Sequence, residues 1–482
     1  MSGQSARPWS ALFPSREDRE RLDDQLTRAL AEADERVVGG SVTPRIDLER
    51  FRQELAAFDY REPLPLEQAI SWTIAQLEHG LVHVTHPRYF GLFNPAPAFP
   101  AQCADRIAAV FNPQLATATT SPVAVELENH VIRAVAERVG LPAGAGGSFT
   151  TGGSEANLTA LICALTRAHP GFARDGARAF AGAPTLYVSK ECHLAWVKIA
   201  HQTGIGRSAV RFVSTDGAGR MDMGALRAMC RADLAEGRVP VMIVATAGTT
   251  NAGMIDPLAG CSRLAGELDI WFHIDAAWGG AVVASERYRN AVAGIELADS
   301  VTIDAHKWLA TTMGCGMILV RDVRSLSAPF RLSADFMPSN DIAADPYVTS
   351  VQWSRRLLGL RLFLSLAAAG WPGYARHVER SIELVDLLAE RLAERGWKIA
   401  NQSCLAVLCV EPPDGSVAVE DIVRRVVESG EAWVSAATFE GRRVVRACVT
   451  HGQTSERDVS LLVQGLERAA APVSWSERLV SE

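Results

Sequence analysis

The 482-residue chain has no CxxC pair among its nine cysteines, no basic block, and no apolar run of the roughly 18 residues that a membrane-spanning helix needs. Each absence removes a class of function. An odd, unpatterned cysteine set in a chain this long points to reduced thiols rather than a disulfide frame, and no metal site is expected. With no basic cluster and a formal net charge of −7, nothing in the chain suits nucleic acid. The first 18 residues lack the apolar core of a signal peptide, so a cytoplasmic location is expected, with no membrane partner. Internal repeats and long low-complexity tracts are also missing. What remains is a chain with 48% hydrophobic residues, enough for a large core and more than one domain.

The chain is organised around 271–308. Two short apolar runs, Ile270-Trp271-Phe272-His273-Ile274 and Ser300-Val301-Thr302-Ile303, each end in polar residues. The first delivers Asp275; the second delivers Asp304, His306 and Lys307. A lysine and an acid at the ends of two apolar strands are what a pyridoxal phosphate site requires. The lysine forms a Schiff base, and the acid keeps the pyridine nitrogen protonated so that the ring can draw in electrons. A lone lysine is ordinarily a surface residue, and an Asp after a strand is ordinarily a turn residue. Here Ile303 and Trp308-Leu309 flank the lysine, and an unpaired charge carried into apolar surroundings is costly.

Upstream, Thr150-Thr151-Gly152-Gly153-Ser154-Glu155-Ala156-Asn157 leads into an apolar helix over 158–167. Glycines followed by a serine at a helix start leave N–H groups free for a phosphate, aided by the helix dipole. Ser154 would equally serve as a plain N-cap, and the segment gains its weight from the lysine and acid downstream. Strand-like runs at 185–189 and 239–245 join the two central runs in a strand–helix alternation from 186 to 320. That alternation predicts a mainly parallel sheet with helices on both faces. Sites in such sheets lie at the carboxyl ends of the strands, where these polar residues fall. Earlier in the chain, 16–37, 66–81 and 123–139 read as helices, and prolines break 86–100. Later, the chain is helical to 368, and Gly370-Trp371-Pro372-Gly373 marks a boundary. A charged amphipathic helix over 374–396 follows. Strands at 406–410, 433–438 and 444–450 and a helix over 456–469 complete a small α+β unit. The chain thus divides into a helical segment 1–85, a large domain 86–370 and a small domain 371–482.

HIDAAWGG, the adjacent strand and DAHKW together resemble the group II pyridoxal-phosphate-dependent amino acid decarboxylases, the family of the aromatic-amino-acid, glutamate and cysteine-sulfinate enzymes. The likeness runs from about His86 to the region of Arg446. It implies fold type I: an α/β architecture with a large, mainly parallel, seven-stranded-type sheet domain, a small α+β C-terminal domain, and a helical N-terminal segment that wraps a partner. It also implies pyridoxal 5'-phosphate as cofactor, an L-amino acid as substrate, and a homodimer with shared active sites. Matching positions give Gly152, Gly153, Ser154 and His306 to the phosphate, His193 to one face of the pyridine ring and Ala277 to the other. They put Thr246 near the cofactor and leave Asp275 and Lys307 in the roles above. Asp304, where several relatives have Asn, is expected to stand behind this set, because an acid would repel phosphate. For the substrate, the resemblance points to Phe90, Phe93 and Phe99 in the loop 86–100 and to Ala116 in the stretch 114–122. The loop 86–100 could also be purely structural. Arg446, on a late strand, could bind a carboxylate or be structural.

Two departures from the family pattern bear on the reaction. The stretch 114–122 is made of small residues and threonine where aromatic-specific relatives carry bulkier ones, which speaks against a simple aromatic assignment. Phe336 aligns with a loop tyrosine that, in the decarboxylases, protonates the carbon left behind when CO2 departs; phenylalanine has no proton to give. In relatives with Phe there, oxygen intervenes and the product is an aldehyde with ammonia and peroxide. Either Phe336 sets that course, or the loop alignment slips and Tyr347 or another acid supplies the proton. Three readings stand: an amino acid decarboxylase, a decarboxylating aldehyde synthase, and a non-catalytic cofactor-binding homologue. The intact set of Lys307, Asp275 and His193 argues against the third.

Overall fold

The computed structural model describes residues 11–332 and 345–472. Seven strands form the large sheet: β1 (Gly146–Thr150), β2 (Pro184–Ser189), β3 (Val210–Val213), β4 (Val239–Thr246), β5 (Trp271–Asp275), β6 (Ser300–Asp304) and β7 (Gly316–Val320). Their spatial order is β1-β7-β6-β5-β4-β2-β3. From β3 through β2, β4 and β5 to β6 the pairing is parallel, while β7 runs against both of its neighbours. The α/β architecture with a mainly parallel sheet is therefore as the sequence indicates. Every residue of β5 and β6 is buried. Helices cover both faces of the sheet, which is why these strands read as nearly unbroken apolar runs.

Register then sets the active end. Thr246 of β4 pairs with Asp275 of β5, and Asp275 with Thr302 of β6, so the carboxyl ends of three central strands finish together. The reversed β7 returns the chain beside them, with Gly316 opposite both Asp304 and Thr150. A Cβ on Gly316 would lie 2.6 Å from Asp304 Oδ1 and 2.7 Å from Gly152 Cα. Only glycine lets β7 bring the end of β1, and the turn that follows it, against the lysine-bearing strand.

A second sheet, of β8 (Lys398–Ile399), β9 (Val407–Glu411), β10 (Ser435–Phe439) and β11 (Arg442–Cys448), is antiparallel in the order β10-β11-β9-β8. The sequence places β10 and β11 about two residues off. Glu440 and Gly441 both take positive φ, 47° and 75°, and close a two-residue hairpin of the primed type that fixes Phe439 opposite Arg442. The helix Gly359–Ala393 leads to this sheet and breaks at Gly370, where φ is 60°. An aromatic stack beside the large sheet reaches toward the second sheet through Trp278. Phe93 lies 4.1 Å from Trp278, and Trp278 lies 4.5 Å from Trp308 at an interplanar angle of 3°. The indole of Trp278 donates to Leu405 O at 2.8 Å. Ahead of the large sheet, helices Arg16–Gly39, Leu48–Ala56 and Leu66–Gly80 contain no buried residue. The helix Phe99–Phe111 occupies what the sequence reads as the end of a loop, because its apolar residues follow directly on Pro97 and Pro100. Among the described residues, no helix is long and apolar enough to cross a membrane.

Three histidines in this core are held neutral by burial. His86, His273 and His377 each have a pKa lowered to about 4 against an unfolded value near 6.5. The unfolded chain therefore binds more protons between those limits, and the stability these groups allow is complete above about pH 6.5 and is lost as pH falls toward 4. Asp256 acts oppositely, since burial raises its carboxyl to about 6 and eases its cost in acid. Three groups outweigh one. The thermal unfolding midpoint is expected to fall between pH 7 and pH 4.5, as stability drops by up to about 1.4 kcal/mol per pH unit for each histidine. His377→Gln, which retains a donor for Trp308 O, is expected to show a shallower decline. An equal slope in the variant, measured by calorimetry across that range, removes His377 from the account.

Candidate active site

At the carboxyl end of β6 the chain turns sharply, and Lys307 N donates to Asp304 O at 3.1 Å. That turn brings the Lys307 ammonium 2.9 Å from Asp304 Oδ2. Asp304 is buried, and its other oxygen, Oδ1, has no partner. The same Lys307 nitrogen stands 5.9 Å from the centre of the Phe93 ring. Asp304, which the sequence places behind the cofactor-binding set, thus pairs directly with the lysine. His306 lies beside them, with Nδ1 3.0 Å from Cys315 O and Nε2 3.9 Å from Asp304 Oδ2.

One strand over, Asp275 is buried at the end of β5. Its Oδ1 accepts from Ala277 N at 3.2 Å, and its Oδ2 accepts from Asn157 Nδ2 at 2.8 Å. Gly152 and Gly153 turn the chain from β1 into the helix Gly153–Ala168. The first N–H groups of a helix have no intrahelical partner and carry the positive end of its dipole. A Cβ on Gly153 would approach Asp304 Oδ2 to 2.9 Å and one on Gly152 would approach His306 to 3.3 Å, so the turn must be bare. Thr246, at the end of β4, has a buried hydroxyl with no partner. His193 is exposed at the cavity edge, and its Nδ1 accepts from Ala195 N at 3.2 Å, which leaves Nε2 free for a ligand.

These groups line one open cavity of about 410 Å³. Of the residues singled out by sequence, the cavity brings together Gly152, Gly153, Ser154, His193, Thr246, Asp275, Ala277, Asp304, His306, Lys307 and Phe93. The donor set fits pyridoxal phosphate. An amine stands ready for an aldehyde, a carboxylate for a ring nitrogen, an orphaned hydroxyl and a bare glycine turn for polar and phosphate oxygens. Among the described residues no group of three or more His, Cys, Asp or Glu side chains could hold a metal ion.

Other expected residues sit elsewhere. Phe90 does not line the cavity: its side chain has no exposed surface, because its backbone pairs with Trp433 O and turns the ring into the core. Phe99 opens the helix Phe99–Phe111 and is 74% exposed on this chain. Ala116 is buried outside the cavity lining, with its carbonyl accepting from Tyr347 N. Arg446 lies behind Phe93, 4.7 Å from that ring, and donates to Thr250 O and Gly91 O. Phe336 lies outside the described residues. Tyr347, the alternative proton source, is buried away from the cavity and donates its hydroxyl to Leu332 O at 3.2 Å. Eight lining residues were not singled out as site residues by sequence, Asn157 and Trp278 among them. Asn157 had a signal: a polar residue four positions after Gly153, hence on the same helix face as the glycine turn.

Residues 53–410 match the pyridoxal-dependent decarboxylase conserved domain. The chain is 34% identical over 349 residues to the L-2,4-diaminobutyrate decarboxylase of Rhizobium meliloti (strain 1021), which covers 70% of this chain and 68% of that one. It is 31% identical over 415 residues to the cysteine sulfinic acid decarboxylase of Mus musculus, covering 81% and 83%. Among solved structures, that of mouse CSAD in its apo form superposes with a TM-score of 0.89 at 27% identity, over 95% of this chain and 100% of that one. The family match takes in every residue that lines the cavity, from Phe93 to Gly314. This chain therefore belongs to the pyridoxal-dependent decarboxylases and is a carboxy-lyase that uses pyridoxal 5'-phosphate to decarboxylate an amino acid.

Proposed function

We propose that the enzyme converts an L-amino acid to its amine and CO2, with Lys307 as the covalent anchor of the cofactor, Asp275 as the partner of its ring nitrogen and His193 over its ring. The observation that carries this reading is the convergence of the Lys307 amine and the Asp275 carboxylate, from neighbouring strands in register, on one cavity. Bound pyridoxal phosphate supplies an aldehyde for the amines and a ring that takes up the electron pair released with CO2. Asp304 holds the Lys307 ammonium in place at 2.9 Å while that nitrogen is free. Gly152, Gly153 and Ser154 offer the helix start to the phosphate, with His306 beside them. Thr246 offers its unpartnered hydroxyl from the end of β4. Asp275, which accepts from Asn157 and Ala277, presents its carboxylate to the ring nitrogen.

Arg446 lies behind Phe93 and outside the cavity lining, so it can anchor a substrate carboxylate only where the Phe93 ring moves aside. Its Nε and Nη1 are fixed on backbone carbonyls, while Nη2 is buried with no partner. A guanidinium held this rigidly loses little freedom on binding an anion. Phe336 favours a second reading, in which oxygen traps the decarboxylated carbon and the product is an aldehyde, and the position of Tyr347 weakens the case for that tyrosine as proton donor within the same chain.

We further propose a cytoplasmic homodimer with shared sites. The helix Phe99–Phe111 exposes Phe99, Ile107, Val110 and Phe111, and the N-terminal helices expose Leu30, Leu66 and Leu77. Exposed apolar side chains grouped in this way suit a partner surface. Ala98 N donates to Ala310 O at 2.7 Å, so the start of this helix is tied to the residue three positions after Lys307, and a partner covering the helix would stand beside the cavity.

Three results follow from these readings. The chain has only four lysines, Lys190, Lys198, Lys307 and Lys398. Borohydride reduction of the loaded enzyme followed by peptide mass mapping is expected to mark Lys307, and Lys307→Ala to lose both the mark and turnover; a mark on another lysine removes the assignment. Incubation in air with common L-amino acids, dopa, cysteine sulfinate and 2,4-diaminobutyrate, read by mass spectrometry with a peroxide assay, decides the product. Amine without peroxide supports the first reading, aldehyde with peroxide the second, and absence of CO2 from every substrate counts against both. Phe111→Asp is expected to shift the sedimentation coefficient from that of a dimer to that of a monomer and to reduce turnover at least tenfold, since burying an unpaired charge costs several kcal/mol; an unchanged dimer places the interface elsewhere.

A further inference from the structure

Beneath the cavity a line of buried side chains runs to Asp275. Trp271, His273 and Asp275 alternate along one face of β5, and Ser300 and Thr302 of β6 lie opposite His273 and Asp275. Trp271 Nε1 donates to Ser300 Oγ at 2.8 Å, and Ser300 Oγ lies 2.8 Å from His273 Nδ1. His273 Nε2 lies 3.1 Å from Asn157 Oδ1, which also accepts from Thr302 Oγ1 at 2.7 Å. Asn157 Nδ2 completes the line by donating to Asp275 Oδ2 at 2.8 Å.

The two ends fix the direction of every bond between them. An indole can only donate, and a carboxylate can only accept. The Asn157 group that faces Asp275 must therefore be its NH2, so its carbonyl faces His273 and Thr302. His273 must then carry its proton on Nε2. That leaves Nδ1 bare, and the Ser300 hydroxyl donates to it while accepting from Trp271. Burial keeps the imidazole neutral, with its pKa lowered to about 4, so a single ring proton is available for this arrangement. All the hydrogens along the line point toward Asp275, and hydrogen bonds in such a chain polarise one another in the same sense.

We infer that Asn157 and His273, supported by Ser300 and Thr302, are positioning residues that orient the Asp275 carboxylate toward the cofactor ring nitrogen and keep that nitrogen protonated. The inference rests on the role proposed above for Asp275. Its physical content is a fixed carboxylate plane: Oδ1 is tied to Ala277 N and Oδ2 to Asn157, so the remaining lone pairs face the cavity. A line that served only to satisfy buried polar groups would leave the ring nitrogen unaffected by its loss.

The test uses cofactor labelled with 15N at the ring nitrogen and bound to the full chain, with NMR reading the protonation of that nitrogen and equilibrium dialysis reading the cofactor Kd. In the wild type the nitrogen is expected to be protonated at pH 8. Asn157→Leu is expected to move the resonance to the unprotonated position and weaken cofactor binding roughly tenfold, the scale of one lost hydrogen bond to a charged group. His273→Leu is expected to move both readouts the same way by less. His273→Gln, which sets an amide N–H where Nε2 stands, is expected to restore them. Thr302→Val, a change of nearly equal volume, carries the test if the leucine variants do not fold, and is expected to lower the pH at which the nitrogen loses its proton. Variants that keep the wild-type resonance and affinity and lose only thermal stability overturn the inference. A wild-type enzyme whose bound cofactor is unprotonated at the ring nitrogen overturns the role of Asp275 itself, and the inference with it.

Discussion

The active end of this enzyme depends on the pairing of β5 with β6, His273 against Ser300 and Asp275 against Thr302. Side chains alternate along a strand, so a slip of one residue would turn Trp271, His273 and Asp275 to the opposite face and bring Phe272 and Ile274 under the cavity. The register is held from both sides. On one face Phe272 and Ile274 pack into the main core; on the other Trp271 packs against the apolar half of the helix Gly153–Ala168. On that second face only Trp271 packs as an apolar side chain, and His273 and Asp275 carry the polar chemistry. The hydrophobic pattern that folds the sheet is therefore the same pattern that aims the acid.

The reversed strand β7 does for the glycine turn what register does for the acid. Without it, β1 would lie at a distance from β6, and the helix start would have no reason to meet the lysine. Gly316 makes the approach possible because it has no side chain, and the acid it touches, Asp304, is the one that faces Lys307. A buried carboxylate next to an ammonium costs far less than either charge alone. The close contact and the charge balance are thus two halves of one arrangement.

Much of this was legible in the chain because the chemistry is local. Asp275 and Lys307 each end an apolar run, and the glycine turn precedes an apolar helix, so spacing alone marks them. The parallel core of the sheet was legible for the same reason, from repeated apolar runs separated by helical spacing. What escaped depends on contacts between distant segments. Nothing near Gly316 announces that its strand runs backwards, since direction is set by the short return from Thr311 to Cys315. Phe90 and Phe93 are alike in composition and context, and only the bond from Phe90 N to Trp433 O decides which ring faces the core. Asn157 has meaning only once His273, Thr302 and Asp275 surround it.

The aromatic stack has a consequence that is optical. Trp278 forms part of the cavity wall and lies parallel to Trp308, immediately after Lys307 in the chain. Indole emission overlaps the absorption of a lysine-linked pyridoxal, and the distance between such a wall and its contents is far shorter than energy transfer requires. With a cofactor held at Lys307, the protein would carry its own fluorescent gauge: these two indoles would darken as the cavity fills and brighten as it empties, without a label or a substrate.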